Sequence, residues 1–288
     1  MRLLHLTVLA ISVSACRPRQ DAAAPSGSPD AVQLRFDAAK MKGASCTLSI
    51  VSETGPAEAP IRSTTDFDLA FGHADAELTM QMRSVSSSLV VGPATVRTRV
   101  TPELIEEPSD NWQHVVRKAA DDADARRQID GLLVAPHYFL RMDELGAILD
   151  YRQDLATDVK IPELDGLALA WALGMPALPV ESASDGDMWL AGRFLPQAEL
   201  DPARVVEVAY HLTSVRDGVA TIVIRSRNES SSQADGVTIT GSVVIDGEAR
   251  MRVSDGRPLE TKVEVQLDFE SSEGSGGWTW RYAGKCAP

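Results

Sequence analysis

Apolar and polar residues alternate along most of this chain, which is the pattern of half-buried antiparallel strands. The longest run extends from Leu259 to Glu270, where aliphatic, aromatic or Thr residues alternate with charged residues and one Gln. Shorter runs begin near Val32, Cys46 and Phe67. The pattern predicts a sheet of about eleven strands with one apolar and one solvated face, and a sheet of this size tends to curl.

Turn signals separate the strands of the C-terminal third. Asp-Gly pairs at 217–218, 246–247 and 255–256 each follow an alternating run, and Asp-Gly favours a tight hairpin turn. A glycine-rich stretch at 274–277 then precedes the last alternating run, which contains Trp278, Trp280 and Tyr282. This third of the chain is predicted to be a meander of roughly five or six strands.

One segment in the middle of the chain has helical spacing. Asp110 and Gln113 have the spacing of a capping box, Trp112 begins an apolar stripe, and Gly131 occupies the position of a C-terminal cap. A helix is therefore predicted over residues 110–130. Two strands are predicted to follow it, over residues 132–142 and 147–151.

A second helix is predicted over residues 162–174. It begins at Pro162 and carries Leu164, Leu167 and Trp171 on one side. Because a single sheet must cover its apolar face, the two helices are expected to close the concave side. The predicted fold class is α+β: a mainly antiparallel curved β-sheet, an open half-barrel, covered by two helices, in a single β-rich domain over residues 31–288.

The same arrangement raises the question of a hydrophobic ligand cavity under the sheet. Residues on the apolar sides of the two helices and of the last strand are its candidate lining. The alternative for these side chains is ordinary core packing. The candidates are Trp112, Leu164, Leu167, Trp171, Trp278, Trp280 and Tyr282.

The first 15 residues have the composition of a secretory signal peptide, with Arg2 ahead of a mostly apolar stretch that ends in small residues. This stretch is too short to span a bilayer, which needs about 20 residues. The segment Val13-Ser14-Ala15-Cys16 resembles the lipobox of bacterial lipoproteins. The resemblance implies that Cys16 is lipidated and becomes the first mature residue, carrying diacylglycerol and an N-linked acyl chain such as palmitate. The alternative is an ordinary signal peptide in which Cys16 is incidental.

Residues 16–30 are predicted to be the lipidated Cys and a flexible tether, since Pro, Ala, Ser and Gly dominate the segment after Arg17. Arg17 follows Cys16 where lipoproteins kept at the inner membrane often have Asp. By that resemblance the protein is expected at the outer membrane, facing the periplasm, with the inner membrane and the cell surface as alternatives. The net charge of −13 should keep the domain away from anionic headgroups.

Composition and spacing argue against several functions. The acidic balance opposes nucleic-acid binding, which needs a basic face. His73, His114, His137 and His211 show no metal-ligand spacing, and no Gly-x-Ser-x-Gly segment marks a nucleophile. The sequence therefore predicts a protein that is not an enzyme, with no catalytic residue, no metal site and no cofactor.

Two cysteines, Cys46 and Cys286, remain after Cys16 is set aside. In an oxidising compartment two thiols in one domain tend to pair. A Cys46–Cys286 disulfide would tie the first strands to the last one. The Cα atoms of such a pair are expected about 4.4–6.8 Å apart.

The order of strands, helix, two strands, helix and meander resembles the periplasmic lipid and lipoprotein carriers of the LolA, LolB and LppX type, which are half-barrels covered by helices. The segment Gly186-Asp187-Met188-Trp189 is also similar to one in uncharacterised envelope lipoproteins. We predict a non-catalytic interaction or structural module of the envelope. The alternative is a carrier or sensor that holds a lipid, acyl chain or lipoprotein under the sheet. Its partners would be the membrane, through the anchor, and a lipid or another envelope protein.

Overall fold

The computed structural model describes residues 31–55, 60–108, 113–154, 167, 171, 174–194, 205–234, 237–272 and 274–287. These residues form one antiparallel sheet of 14 strands, one α-helix and one 3-10 turn. The strands are β1 (Ser45–Thr54), β2 (Ile61–Ala74), β3 (Glu77–Val91), β4 (Ala94–Val100), β5 (Leu104–Pro108), β6 (His114–Lys118), β7 (Tyr138–Met142), β8 (Ile148–Gln153), β9 (Met188–Phe194), β10 (Val205–Arg216), β11 (Val219–Ala234), β12 (Val237–Arg252), β13 (Pro258–Ser271) and β14 (Gly274–Cys286). The helix is α1 (Ala123–Leu133), and the 3-10 turn is Ala38–Met41.

The sheet consists of two meanders joined side by side. Strands β1 to β6 form one meander and β9 to β14 form the other, and they meet where β1 pairs with β14. The hairpin β7–β8 branches from the first meander, because β7 pairs with β3 at Leu78–Met80. The first and last strands therefore lie at the centre of the sheet, while the described part of the sheet is open at β6 and β9.

Strand β13 shows why alternation produces this sheet. Val263, Val265 and Leu267 are each 4% exposed, whereas Lys262 before them and Gln266 between two of them are solvent-exposed. Successive side chains of a strand point to opposite faces, so period-two alternation buries one whole face. The predicted antiparallel alternation is confirmed along this strand.

The predicted disulfide is present and joins the two meanders. Cys46 of β1 and Cys286 of β14 are bonded, at a sequence separation of 240. Their Cα atoms are 4.0 Å apart, closer than the expected range, because the two residues are direct partners in the β1–β14 register and directly opposed residues can approach closely. The expectation that the first and last strands are neighbours is confirmed.

The helix predicted over residues 110–130 is wrong in its first half. Residues His114–Lys118 form strand β6, where the β-branched pair Val115-Val116 suits an extended backbone. The helix begins later, because Asp122 is the N-cap and its carboxylate accepts from the backbone amides of Asp124 and Ala125. The helical spacing of apolar residues that begins at Trp112 therefore arose by chance, from an edge strand and the turn that follows it.

The fold class predicted from the sequence, a half-barrel covered by two helices, is also wrong. The structure shows an open, mainly antiparallel sheet in which α1 is the one α-helix with a described residue range. Among the described strands, helix α1 packs mainly on β3, β5 and β6. Of the second predicted helix, residues 162–174, the structure describes Leu167, Trp171 and Gly174, which have helical backbone.

Irregular segments cover much of the apolar face instead. Leu34 and Met41 before β1, and Met175 and Leu178 before β9, are all at most 3% exposed. The Arg35 guanidinium joins the two segments, donating to the Pro179 carbonyl oxygen over 2.7 Å. The alternation that begins near Val32 predicted a strand, and this is wrong: residues 31–37 make only an isolated bridge, between Val32 and Ala183.

One predicted turn is also wrong. Asp246-Gly247 lies inside β12, where Asp246 pairs with Glu264 and Gly247 with Val263. A Cβ at Gly247 would lie 2.5 Å from the Lys262 carbonyl oxygen, so glycine is required there by close packing of neighbouring strands and not by a turn. Asp217-Gly218 does form the β10–β11 turn, with positive φ at both residues, as expected of a tight hairpin.

Candidate functional site

The described candidates for an apolar cavity lie in the core. Leu167 is 0% and Trp171 3% exposed. The Trp171 ring contacts Phe71 of β2, with centroids 4.7 Å apart. The Trp171 Nε1 is buried without a hydrogen-bond partner in the described part of the chain. Trp112 and Leu164, like Cys16, lie outside the described residues.

The aromatic residues of β14 occupy successive positions on the apolar face. Tyr282 is buried against Gly174, where an added Cβ would lie 2.1 Å from the tyrosine Cε1, and burial raises the pKa of its phenol. Trp278 and Trp280 are only partly buried, and their ring centroids are 5.9 Å apart. The structure therefore brings Tyr282 close to the segment that contains Trp171 and leaves the two tryptophans partly accessible.

The opposite, polar face of the sheet carries a groove with a volume of about 360 Å³. It crosses strands β3, β2, β1, β14 and β13, so it spans the seam between the two meanders. Along β1 its residues Thr47 and Ser49 alternate with Cys46 and Leu48, which are buried on the other face. We call this feature the seam groove.

Short side chains form the floor of the seam groove. Ser49 of β1 lies directly opposite Ala283 of β14, and Thr47 lies opposite Lys285. Neighbouring positions on the flanking strands carry longer, charged side chains, such as Asp66 opposite Ser49 and Lys262 opposite Ala283. A hollow results because Thr47, Ser49 and Ala283 on the two central strands are short, where Asp66 and Lys262 on the flanking strands are longer.

The β2 side of the seam groove is acidic. Asp66 and Asp68 are both exposed and point to the polar face. The Ser84 hydroxyl donates to the Asp68 carboxylate, whereas the Asp66 carboxylate has no hydrogen-bond or ion-pair partner in the described chain. This wall therefore presents at least one uncompensated negative charge to the groove.

The β13–β14 side contains two ammonium groups. The Lys262 ammonium lies 2.8 Å from Glu260 Oε1, and this hydrogen bond is the main reason that the pKa of Glu260 is lowered and that of Lys262 is raised. The Lys285 charge also helps to lower the pKa of Glu260. Lys285 itself has no ion pair among the described residues, so its positive charge is available to a ligand.

The two walls are separated by the width of the seam. Asp68 and Lys285 both lie opposite Thr47, on either side of it. Neighbouring strands are about 4.8 Å apart, so their backbones are separated by about 10 Å. The groove therefore presents an acidic edge, a hydroxyl-lined floor and a basic edge, a set suited to binding by charge and hydrogen bonds.

The sequence contained a weak sign of the seam groove. Thr47, Ser49 and Ala283 are short at polar-face positions, but a short polar residue on one strand does not define a hollow. The hollow becomes visible only when β1 is placed beside β14 in the correct register. The Cys46–Cys286 pairing was the one sequence clue to that register.

The described residues include no group of three or more His, Cys, Asp or Glu side chains that could hold a metal ion. No helix in the described part of the chain has the length and apolar character needed to cross a membrane.

Comparison with known proteins yields a weak structural similarity. No protein-family model matches the chain, and no curated protein matches it significantly. A solved structure described as "Lipid-protein interactions in lipovitellin" is similar over 86% of this chain, with a TM-score of 0.49 and 12% sequence identity. The match covers 25% of the lipovitellin chain, so this chain spans about a quarter of its length.

Proposed function

We propose that this protein is a non-catalytic binding module of the bacterial cell envelope, and that the seam groove is its binding surface. In this proposal the lipidated Cys16 holds the protein at the outer membrane, facing the periplasm. The observation that carries the binding role is the groove itself: a hollow of about 360 Å³ built over the two central, disulfide-linked strands of the sheet.

The position of the groove favours ligand binding over a purely structural role for this face of the sheet. Its floor strands β1 and β14 are the two central strands of the sheet, and the Cys46–Cys286 bond joins them beside Thr47 and Lys285. A rigid floor lowers the entropic cost of binding. The unpaired Asp66 and Lys285 side chains supply charges that a ligand can neutralise.

The tether would deliver this surface to periplasmic ligands. Residues 17–30 have the composition of a flexible linker, and about 14 such residues reach roughly 20 Å. Repulsion between an acidic domain and anionic headgroups would keep the domain off the membrane. The groove would then remain accessible while the anchor limits the protein to one compartment.

The test is to fill the groove and ask whether a bound molecule is lost. Full-length protein is purified from its native membrane in mild detergent and its bound mass is measured by native mass spectrometry. Ala283→Trp should abolish the bound mass, because the indole would occupy the hollow. The matched control is Thr221→Trp, at a half-buried position of β11 between the buried Ala220 and Ile222. An identical bound mass in wild type and A283W would contradict the proposal.

A second candidate, a carrier of a lipid or acyl chain beneath the sheet, is supported by two observations. Trp171 has a buried, unpartnered Nε1–H, and Trp278 and Trp280 lie partly exposed on the same face. An acyl ester carbonyl would satisfy that donor. A carrier would release lipid into organic solvent, and A283W would retain this lipid because the substitution lies on the opposite face.

A further inference from the structure

We infer that the seam groove binds a short zwitterionic peptide, with its ammonium group at Asp66 and Asp68 and its carboxylate at Lys285. This inference rests on the proposed function of the groove as a binding surface, and it adds the chemical class of the ligand. Three features of the groove lead to it: the separation of its charges, its span and its floor.

The charges in the groove are opposite and spatially separated. The Asp66 carboxylate and the Lys285 ammonium have no ion-pair partner in the described structure, and they lie on opposite sides of the floor. A ligand with one kind of charge would satisfy one wall and leave the other unpaired. A molecule with an ammonium at one end and a carboxylate at the other satisfies both.

The span of the groove sets the length of that molecule. Strand β2 is separated from β14 by two strand spacings, about 10 Å. Extended peptide advances about 3.3–3.6 Å per residue, so three residues cover this distance. The volume of about 360 Å³ lies at the lower end of the range of ligand pockets, which begins near 300 Å³.

The floor offers partners for the peptide backbone between the two ends. The hydroxyls of Thr47, Ser49 and Ser86 line the groove, and each hydroxyl can both donate and accept a hydrogen bond. Ala283 opposite Ser49 leaves room for the ligand chain. Because a hydroxyl can act as either donor or acceptor, it can pair with the N–H and C=O groups that alternate along a peptide backbone.

The probe is tri-alanine, titrated into the full-length protein and followed by isothermal calorimetry. N-acetyl-tri-alanine removes the cationic end, and tri-alanine amide removes the anionic end. We expect each capped form to bind about tenfold more weakly, as for the loss of one charge-assisted hydrogen bond. Asp66→Asn should reduce the preference for the free amine and Asp66→Asn/Asp68→Asn should abolish it, and Lys285→Gln should abolish the preference for the free carboxylate.

Matched controls are Glu103→Gln and Lys42→Gln, which change exposed charges outside the groove and should leave all three affinities unchanged. The inference is overturned if tri-alanine does not bind at millimolar concentration, or if the capped forms bind equally well. If A283W still loses a natively bound mass in that case, the proposed binding role stands and only the ligand class fails. If tri-alanine binds as expected but A283W retains its native mass, the groove binds peptide in solution, and the proposal that the groove holds the native ligand in the envelope fails.

Discussion

Cys46 and Cys286 occupy directly opposed positions on the two central strands of the sheet, with their Cα atoms 4.0 Å apart. The bond closes the seam at which the N-terminal and C-terminal meanders meet. The next residue of β1, Thr47, already belongs to the floor of the seam groove. The element that stabilises the fold and the surface proposed to bind a ligand are therefore adjacent.

Removing this disulfide should destabilise the whole sheet. In the chain-entropy account a cross-link over a loop of this length restricts the unfolded chain strongly, and loss of a native disulfide costs about 2–5 kcal/mol. Urea unfolding of the Cys46→Ser/Cys286→Ser double variant should therefore show a lower midpoint than the oxidised wild type. Reduced wild type should match the double variant. Equal midpoints for the oxidised and reduced proteins would contradict the expectation.

Gly174→Ala should destabilise the packing between the segment before β9 and strand β14. The new methyl group would lie 2.1 Å from the Tyr282 ring, and overpacking of this kind costs about 1–3 kcal/mol. A double-mutant cycle with Tyr282→Ala checks the cause, because the cost should largely disappear when the ring is absent. A cost that is the same in both backgrounds would show that the tyrosine contact is not responsible.

Asp122 should make stability depend on pH in the acid range. The hydrogen bond from Arg117 is the largest reason that the pKa of Asp122 falls from 3.8 to about 2. Because the pKa is lower in the folded protein, the contribution to stability is complete above about pH 4 and is lost as the pH falls through about 2. Unfolding measured across this range should show a weaker pH dependence in Asp122→Asn.

The control for this prediction is Asp121→Asn, which removes a neighbouring carboxylate that accepts none of the hydrogen bonds of the N-cap. Its pH dependence should follow that of the wild type. An NMR titration in which the Asp122 carboxylate titrates near 3.8 would contradict the role assigned to Arg117.

Much of the sheet could be predicted because its physical cause is local. Burial of Val263, Val265 and Leu267 on one face of β13 follows directly from period-two alternation. The central pairing of β1 with β14 followed from Cys46 and Cys286, since chemistry left two thiols in one domain. Neither inference requires knowledge of the side chains that pack around these residues in the folded protein.

The features that the sequence did not predict depended on tertiary context. Val115 and Val116 became an edge strand because β5 was available to pair with them. Gly247 was needed for close approach of Lys262 and Val263, although Asp-Gly has the sequence of a turn. The seam groove depends on the register of five strands, and the alternation within one strand does not show which distant strand becomes its neighbour.

The lipid anchor is a separate prediction that rests on Val13-Ser14-Ala15-Cys16. Cys16→Ser removes the thiol that would carry the diacylglycerol, so the variant should move from the membrane fraction to the soluble fraction. Cell fractionation followed by immunoblotting measures this directly, with Cys46→Ser/Cys286→Ser as a control that retains Cys16. Unchanged membrane partition of the Cys16 variant would rule out the anchor.

The most direct test of the binding role is lysine footprinting, because it needs no knowledge of the ligand. Isolated envelopes and purified protein are treated with an acetylating reagent, and modification of Lys285 in the groove is compared with that of the exposed Lys42 outside it. We predict that Lys285 is modified several-fold more slowly in the envelope than in the purified protein stripped of ligand, while Lys42 reacts equally in both. Equal modification of Lys285 in the two preparations would contradict the proposal that the seam groove is an occupied binding surface.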